Sequence, residues 1–123
     1  MRTLRIDHVV VATPDAASAA TTFQGHFDLA PGTPIAGSPT LRIGGAQIAF
    51  VTPQAGTPLA AILASTGEGM AEVCLEVASL ADAAASLRKA AVSFTEEDGG
   101  AKLAVDPRAA HGVRLTLIDQ TRH

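Results

Sequence analysis

Apolar residues first concentrate in a short run and then recur at helical spacing, which predicts a strand followed by a helix. The run Leu4 to Ala12 is rich in Val and Ile and predicts an opening strand. Thr13-Pro14-Asp15 follows with the composition of a helix start: a Thr cap, then Pro and an acidic residue in the first turn. The next apolar positions predict one buried helical stripe, comprising Ala16, Ala20, Phe23 and Phe27.

The rest of the chain repeats this succession of strand, helix and further strands. Two short runs, residues 40–43 and 47–51, flank Gly44-Gly45 and predict a β-hairpin. A connector with a helical turn near residues 59–64 leads to a strand from Met70 to Val77. A second helix is predicted to begin after a Ser79 cap, with Asp82 completing a capping box. Its stripe comprises Leu80, Ala84, Leu87 and Ala91, and the closing strands are residues 92–95, 102–105 and 113–119.

The order of elements in the first half of the chain matches the order in the second half. A shift of 64 residues places His8 on Glu72, and a shift of 67 residues later places Ala49 on Thr116. Because the same elements recur in the same order, the sequence predicts an internal duplication. The half-repeats are expected at about residues 1–52 and 70–120.

Strand alternation divides the predicted strands into a polar face and an apolar face. The apolar face carries Val, Ile, Leu and Phe and is expected to pack under the helices. The polar face holds the candidate site residues His8, Gln47, Glu72, Cys74, Arg114 and Thr116. Convergent polar groups of this kind are typical of a ligand cavity, which we expect these side chains to line.

Each candidate has a catalytic or binding role and a structural alternative. His8 and Glu72 are the predicted catalytic pair, although an ion pair of Glu72 with His8 or Arg114 would be purely structural. Arg114 suits a carboxylate or phosphate of a ligand, with an ion pair as its alternative. Cys74 is expected to be a small buried side chain and not a nucleophile. The predicted ligand-binding residues are Gln47, Cys74, Arg114 and Thr116.

Composition narrows the classes of partner and the compartment. Of the 123 residues, 47% are hydrophobic, which is enough to build a core. A net charge of −3, no Trp or Tyr and only four Phe disfavour a nucleic-acid partner. The single cysteine excludes an internal disulfide, and no apolar segment reaches the length of a membrane span. We therefore expect a cytoplasmic protein that binds neither nucleic acid nor membrane.

Three short motifs resemble one known superfamily. Ile6-Asp7-His8-Val9-Val10-Val11-Ala12 resembles the opening strand of the glyoxalase/bleomycin-resistance/dioxygenase, or vicinal oxygen chelate, superfamily. Gly67-Glu68-Gly69-Met70 resembles its methylmalonyl-CoA epimerase branch, and Asp106-Pro107 with His111-Gly112-Val113 resembles the ending of glyoxalase-like domains. The resemblance implies one α+β domain over residues 1–123, in which two βαβββ modules form a cupped mixed or antiparallel sheet with helices on its outer face. It also implies a homodimer.

The resemblance further implies a metal site at four inward strand positions, here His8, Ala49, Glu72 and Thr116. His8 matches the usual ligand, and the Glu72 carboxylate suits a hard divalent cation. Ala49 cannot be a ligand, and Thr116 replaces a usual Glu, so half of the site is missing. A register shifted by two residues would make Gln47 a third ligand. We expect no tightly bound cofactor, and at most a weakly held divalent metal at His8 and Glu72.

Two main functions are consistent with these features. The first is a lyase or isomerase acting on an oxygenated carbonyl or acyl substrate, in which His8 and Glu72 move a proton beside the carbonyl group. In metal-bearing relatives the ion stabilises the enolate, and here Arg114 or Gln47 would have to provide part of that stabilisation. The alternative is a non-catalytic small-molecule binding or sequestering protein of the bleomycin-resistance type, which needs no metal. A degenerate module acting as a sensor or protein-binding subunit is a third hypothesis.

Overall fold

The computed structural model describes residues 1–119, which form two compact units. The first unit combines Met1–Asp7 with residues 72–119, and the second unit is His8–Ala71. The predicted domain end at residue 123 and the predicted half-repeat end at residue 120 lie outside the described residues. The assignment of the whole chain to one domain therefore stays a prediction.

Eight strands and three α-helices lie in residues 1–119. The strands are β1 (Thr3–Ala12), β2 (Ala30–Pro31), β3 (Thr40–Ile43), β4 (Ala46–Val51), β5 (Gly69–Val77), β6 (Phe94–Glu97), β7 (Lys102–Val105) and β8 (Leu115–Asp119). The helices are α1 (Ala16–Phe27), α2 (Pro58–Thr66) and α3 (Leu80–Lys89). None of these helices combines the length and apolarity needed to cross a membrane. The order β1-α1-β2-β3-β4, then α2, then β5-α3-β6-β7-β8 confirms the predicted α+β class with two βαβββ modules.

Each module pairs its strands in the same way. In the second unit β1 runs parallel to β4, and β3 is antiparallel to β4 and to β2. In the first unit β5 runs parallel to β8, and β7 is antiparallel to β8 and to β6. Val10 lies opposite Ala49 in one parallel pair, and Cys74 lies opposite Thr116 in the other. Shifts of 64 and 67 residues superimpose these pairs, so both registers agree with the proposed duplication.

Helix α1 begins at an aspartate cap. The Oδ1 atom of Asp15 accepts a hydrogen bond from the backbone N–H of Ser18 at 3.1 Å. The predicted Thr13 cap is wrong, because the backbone N–H of Thr13 still donates to the carbonyl of Val51 at 3.0 Å and so continues the strand pairing. The helix therefore starts two residues later than the Thr-Pro-Asp pattern indicated.

The core of the second unit lies between α1 and the apolar face of β3 and β4. Its fully buried members are Ala20, Leu41 and Phe50. The ring of Phe23 packs edge-on against that of Phe50, with the ring centroids 5.1 Å apart. Phe27 was predicted for the same stripe, but its side chain is 63% exposed because it is the last residue of α1.

The core of the first unit lies beneath α3. Ser79 caps this helix as predicted, with its Oγ accepting a hydrogen bond from the backbone N–H of Asp82 at 3.2 Å. The buried core residues are Val77, Ala83, Leu87, Leu103, Val105 and Leu117. The prediction of Ala91 in the buried stripe is wrong, because the helix ends at Lys89 and Ala91 adopts a left-handed backbone with a φ of 58°.

Two strands begin later than the sequence predicted. The backbone N–H of Val92 donates to the carbonyl of Leu87 at 2.9 Å and so belongs to the turn that ends α3. Strand β6 therefore begins only at Phe94. The backbone N–H of Val113 donates to the carbonyl of Ala110 at 3.1 Å, which closes a turn before β8. Val92 and Val113 are β-branched and were therefore predicted to lie in strands, but their backbone N–H groups form local turns.

We expect Phe50→Ala to lower the free energy of unfolding by about 3–5 kcal/mol, because it removes a fully buried ring from beneath α1. Phe27→Ala is the matched control, since it removes the same atoms from an exposed position, and its effect should stay below about 1.5 kcal/mol because the ring still contacts that of Phe23. Urea unfolding followed by circular dichroism measures both values. Equal losses in the two variants would contradict the assignment of the buried face of α1.

Candidate functional site

The strands of the first unit have one face that packs against the core beneath α3 and an opposite face that is polar. Glu72 and Cys74 lie on β5, Lys102 lies on β7 and Thr116 lies on β8. Their neighbours of opposite parity pack against the helix side of the sheet, and these include Leu75, Leu103, Leu115 and Leu117. Strand alternation therefore separates charged groups from the apolar core within a single layer of strands.

Glu72 is the centre of the polar face, and its side chain is only 1% exposed. Arg114 Nε donates to Glu72 Oε1 at 2.8 Å, and Thr116 Oγ1 donates to Oε2 at 2.9 Å. Lys102 Nζ lies 3.0 Å from the same Oε2. Arg114 Nη2 also donates to Glu97 Oε1 at 2.7 Å. These five residues, called the Glu72 cluster below, balance two carboxylates against two cations.

Burial and neighbouring charge act in opposite directions on the pKa of Glu72. Burial alone would raise this pKa, but Lys102 and Arg114 outweigh burial and hold the pKa of Glu72 below its ordinary value of 4.5. Burial would likewise lower the pKa of Arg114, but Glu97 and Glu72 raise the pKa instead. A carboxylate with a lowered pKa takes up a proton less readily, so Glu72 suits holding cations better than acting as a general base.

Cys74 is fully buried and lies opposite Thr116 in the β5–β8 pairing. Burial raises the pKa of the Cys74 thiol to about 11, although its hydrogen bond with Thr116 acts in the other direction. The side chain is therefore a neutral thiol near pH 7 and a poor nucleophile. Ligand binding by Cys74 stays a prediction.

The Glu72 cluster does not fit a divalent metal ion. Both oxygens of Glu72 already accept hydrogen bonds or an ion pair, and the positive charges of Lys102 and Arg114 would repel a second cation. Within residues 1–119 no three His, Cys, Asp or Glu side chains are grouped so that they could hold a metal. Metal binding by His8 and Glu72 therefore stays a sequence prediction that the surroundings of Glu72 disfavour.

The second unit contains the other two candidates, His8 and Gln47, which lie opposite each other on β1 and β4. His8 is buried. The side chain of Gln47 is bound to the loop after β2, because its Oε1 accepts from the backbone N–H of Thr33 at 2.6 Å and its Nε2 donates to the Thr33 carbonyl at 3.3 Å. This contact requires Gly32, since a Cβ there would lie 2.1 Å from Gln47 Oε1. Ligand binding by Gln47 stays a prediction.

The second unit also contains a contact made by the Gly-Glu-Gly segment before β5. The side chains of Thr13 and Glu68 are joined by a hydrogen bond, which ties the end of β1 to this segment. Thr13 is buried, whereas Glu68 is exposed. The motif that resembled the epimerase branch therefore has a local structural role in this chain.

Sequence reasoning brought Glu72, Cys74, Arg114 and Thr116 to one face, but it missed two members of the Glu72 cluster, Lys102 and Glu97. The alternation rule would have found Lys102, because Leu103 and Val105 belong to the core and the residues between and before them must face the other way. Glu97 lies opposite Lys102 in the β6–β7 pairing. Its strand was predicted to end before it, so no pattern placed Glu97 on the face.

Comparison with known proteins relates this chain to solved structures. No family model and no curated protein matches the sequence. A hypothetical protein from Bacillus halodurans C-125 is 20% identical, with a TM-score of 0.81 over 94% of each chain. The methylmalonyl-CoA epimerase from Mycobacterium tuberculosis is 20% identical, with a TM-score of 0.81 over 95% of this chain and 88% of that chain. A variant of the Streptomyces coelicolor methylmalonyl-CoA epimerase, in complex with 2-nitronate-propionyl-CoA, is 20% identical, with a TM-score of 0.82 over 95% of this chain and 97% of that chain.

The chain has the methylmalonyl-CoA epimerase fold. This agrees with the fold that the sequence motifs implied. At an identity of 20% the likeness concerns the architecture alone, so the roles of side chains must come from their own contacts. On this fold, the Glu72 cluster joins two carboxylates and two cations in the described part of the first unit.

We expect Glu72→Gln to lower the free energy of unfolding near pH 7 by about 3 kcal/mol, because Lys102 and Arg114 would then face a neutral amide in a buried cluster. The pKa of Glu72 is lowered in the folded protein, so its stabilisation is present above the ordinary value of 4.5 and is lost as pH falls through the folded value. The difference between the variant and the wild type should therefore shrink well below pH 4.5.

Urea unfolding across this pH range measures the effect. Glu96→Gln is the matched control, because Glu96 is an exposed carboxylate on β6 outside the cluster, and it should change stability little at any pH. A Glu72→Gln difference that grows on acidification would contradict the lowered pKa of Glu72.

We expect the Cys74 thiol to react very slowly with a thiol-specific reagent in the native protein. It is fully buried and its pKa is raised to about 11, so little thiolate is present or accessible. Addition of urea should release the one thiol of the chain to rapid reaction. A reagent that releases a coloured thiol on reaction allows the rate in native protein and the rate in urea to be followed by absorbance. Fast stoichiometric labelling of the native protein would refute the buried position of Cys74.

Proposed function

We propose that this chain is an isomerase-type enzyme that moves a proton at the carbon beside the carbonyl of an acyl thioester. The Glu72 cluster is the observation that carries this proposal, because it fixes two cations, Lys102 and Arg114, on a largely buried face. Fixed cations away from water stabilise the negative charge that develops on a carbonyl oxygen when the neighbouring proton leaves. The named function of two structural neighbours, methylmalonyl-CoA epimerase, supports this class of reaction.

Proton transfer of this kind needs a base as well as a cation. We assign the base to His8, because imidazole is the side chain that most often moves protons near neutral pH. The sequence also predicted Glu72 as a catalytic residue, and its lowered pKa favours a different role, that of the carboxylate that holds Lys102 and Arg114 in place. Thr116 supports the same carboxylate through its hydroxyl group.

The proposed enzyme is a homodimer of single-domain subunits that works in the cytoplasm on a small molecule. The dimer and the single domain rest on the superfamily resemblance, and the compartment rests on the composition. Size-exclusion chromatography with light scattering tests the dimer, which should give a mass twice that of one chain.

The second candidate is a protein that binds and sequesters a small molecule without changing it. One observation favours it: the pKa of Glu72 is lowered and both of its oxygens are engaged, so this carboxylate is a weak base. If His8 is not a base either, the same polar face could still bind an oxygenated ligand. Binding without proton exchange would identify this function.

We expect the protein to accelerate exchange of the C2 proton of methylmalonyl-CoA for deuterium, because epimerisation requires that proton to leave and return. His8→Gln should slow the exchange by about 100-fold or more, as is usual when a general base is lost. His26→Gln is the matched control, since His26 is an exposed histidine at the end of α1, and it should retain the wild-type rate.

Proton NMR in deuterated buffer measures the exchange, with a sample lacking protein as the reference. Calorimetric titration of the same compound separates the two candidate functions. Binding with no accelerated exchange favours the sequestering protein, whereas no binding and no exchange would refute an acyl-thioester ligand altogether.

A further inference from the structure

Lys102 is the most accessible cation of the Glu72 cluster. It begins β7 and lies opposite Glu97 of β6, with its Nζ 3.0 Å from Glu72 Oε2. The side chain of Lys102 is 20% exposed, whereas that of Arg114 is 11% exposed and that of Glu72 is 1% exposed. A ligand approaching the cluster would therefore reach the ammonium before it reached the carboxylate of Glu72, with the Glu97 carboxylate, 25% exposed, beside the approach.

The hydrogen-bonding capacity of the two cations also differs. Arg114 donates from Nε to Glu72 and from Nη2 to Glu97, so its guanidinium already binds two carboxylates. An ammonium has three N–H donors. Among residues 1–119, Glu72 is the one side chain that forms an ion pair with Lys102, and this contact uses one donor. Lys102 therefore keeps donors for an additional oxygen.

Glu72 prepares Lys102 for such a contact. The carboxylate keeps the ammonium charged in a largely buried place, where an unpaired cation would be costly. It also fixes the position of the otherwise flexible lysine head. The ammonium is thus held in place before a ligand arrives, which reduces the entropy lost on binding.

We propose that Lys102 is the ligand-binding cation of this protein, with its ammonium donating to a carboxylate or enolate oxygen of the ligand without help from a divalent metal. This role rests on the proposed function and defines its substrate class more narrowly, as acyl compounds that carry an anionic oxygen near the reacting carbon. Arg114 and Thr116 act through Glu72 as positioning residues. Both oxygens of Glu72 are already bound by groups of the cluster, and Arg114 is committed to two carboxylates. Lys102 is therefore the member of the cluster that keeps N–H donors for a ligand.

The chain contains two lysines, Lys89 and Lys102, which allows a direct test. In protein labelled with ¹³C at lysine Cε, only these two residues contribute signals. Addition of methylmalonyl-CoA or of malonate, in the presence of EDTA, should shift the Lys102 signal saturably. The Lys89 signal should stay in place, because Lys89 is exposed at the end of α3 and is not a member of the cluster.

Three variants complete the test, with binding of methylmalonyl-CoA followed by calorimetry. Lys102→Met should weaken binding by at least about 10-fold, the usual cost of a lost charged hydrogen bond. Lys102→Arg keeps a cation beside Glu72 and should restore most of the affinity. Lys89→Met is the matched control and should bind as the wild type does. If Lys102→Met fails to fold, the wild-type lysine signals and Lys102→Arg still decide the outcome.

The outcomes separate the role of Lys102 from the proposed function. Tight binding of methylmalonyl-CoA by folded Lys102→Met would overturn the role of Lys102 and leave the proposed function intact. A Lys102 signal that shifts with malonate in a protein that neither binds methylmalonyl-CoA nor exchanges its proton would support the anion-binding role and refute the proposed substrate. Binding that disappears with EDTA and returns with Mn²⁺, or a Lys102 signal unmoved by both probes, would overturn the role of Lys102.

Discussion

A carboxylate removed from water must be matched by donors, and in this protein the donors to Glu72 come from β7, from β8 and from the residue directly before β8. Lys102 comes from β7, Thr116 lies on β8 and Arg114 lies directly before β8, and Arg114 in turn binds Glu97 of β6. Loss of Lys102 or Arg114 would leave the buried charge of Glu72 poorly compensated. The resulting loss of stability would exceed the net stabilisation that the intact ion pair provides. The polar face of the first unit is therefore ordered by one acidic side chain, much as the opposite face is ordered by apolar packing beneath α3.

The two modules share a register but use it for different chemistry. His8 lies opposite Gln47 on β1 and β4, and the same shifts relate these positions to Glu72 and Arg114. In one module the long side chain beside β1 binds a backbone loop, and in the other the equivalent side chain binds carboxylates. The two modules thus share the same strand pairing while their corresponding polar positions make different contacts.

The order of the predicted elements and the superfamily resemblance together predicted the α+β class and both βαβββ modules, and strand alternation predicted four residues of the polar face. The errors lie at element ends: Phe27 is exposed as the last residue of α1, and Ala91 lies beyond the end of α3, where the backbone is no longer helical. Lys102 was missed although its strand was predicted, because alternation in the four-residue strand Lys102–Val105 identifies the polar face only once Leu103 and Val105 are known to lie in the core. The pairing of Glu72 with Arg114 depends on which strands become neighbours, and periodicity along one strand carries no such information.

The contact between Gly32 and Gln47 links the evolutionary histories of two residues that lie far apart in the sequence. Any side chain at position 32 would collide with the amide of Gln47, and shortening Gln47 would leave the backbone N–H of Thr33 without its side-chain acceptor, although the Thr33 carbonyl would keep the hydroxyl of Thr40. A side chain at position 32 therefore requires Gln47 to move away from Thr33 or to be replaced. Among descendants of this sequence, a larger residue at position 32 should accordingly be found most often with a smaller residue at position 47.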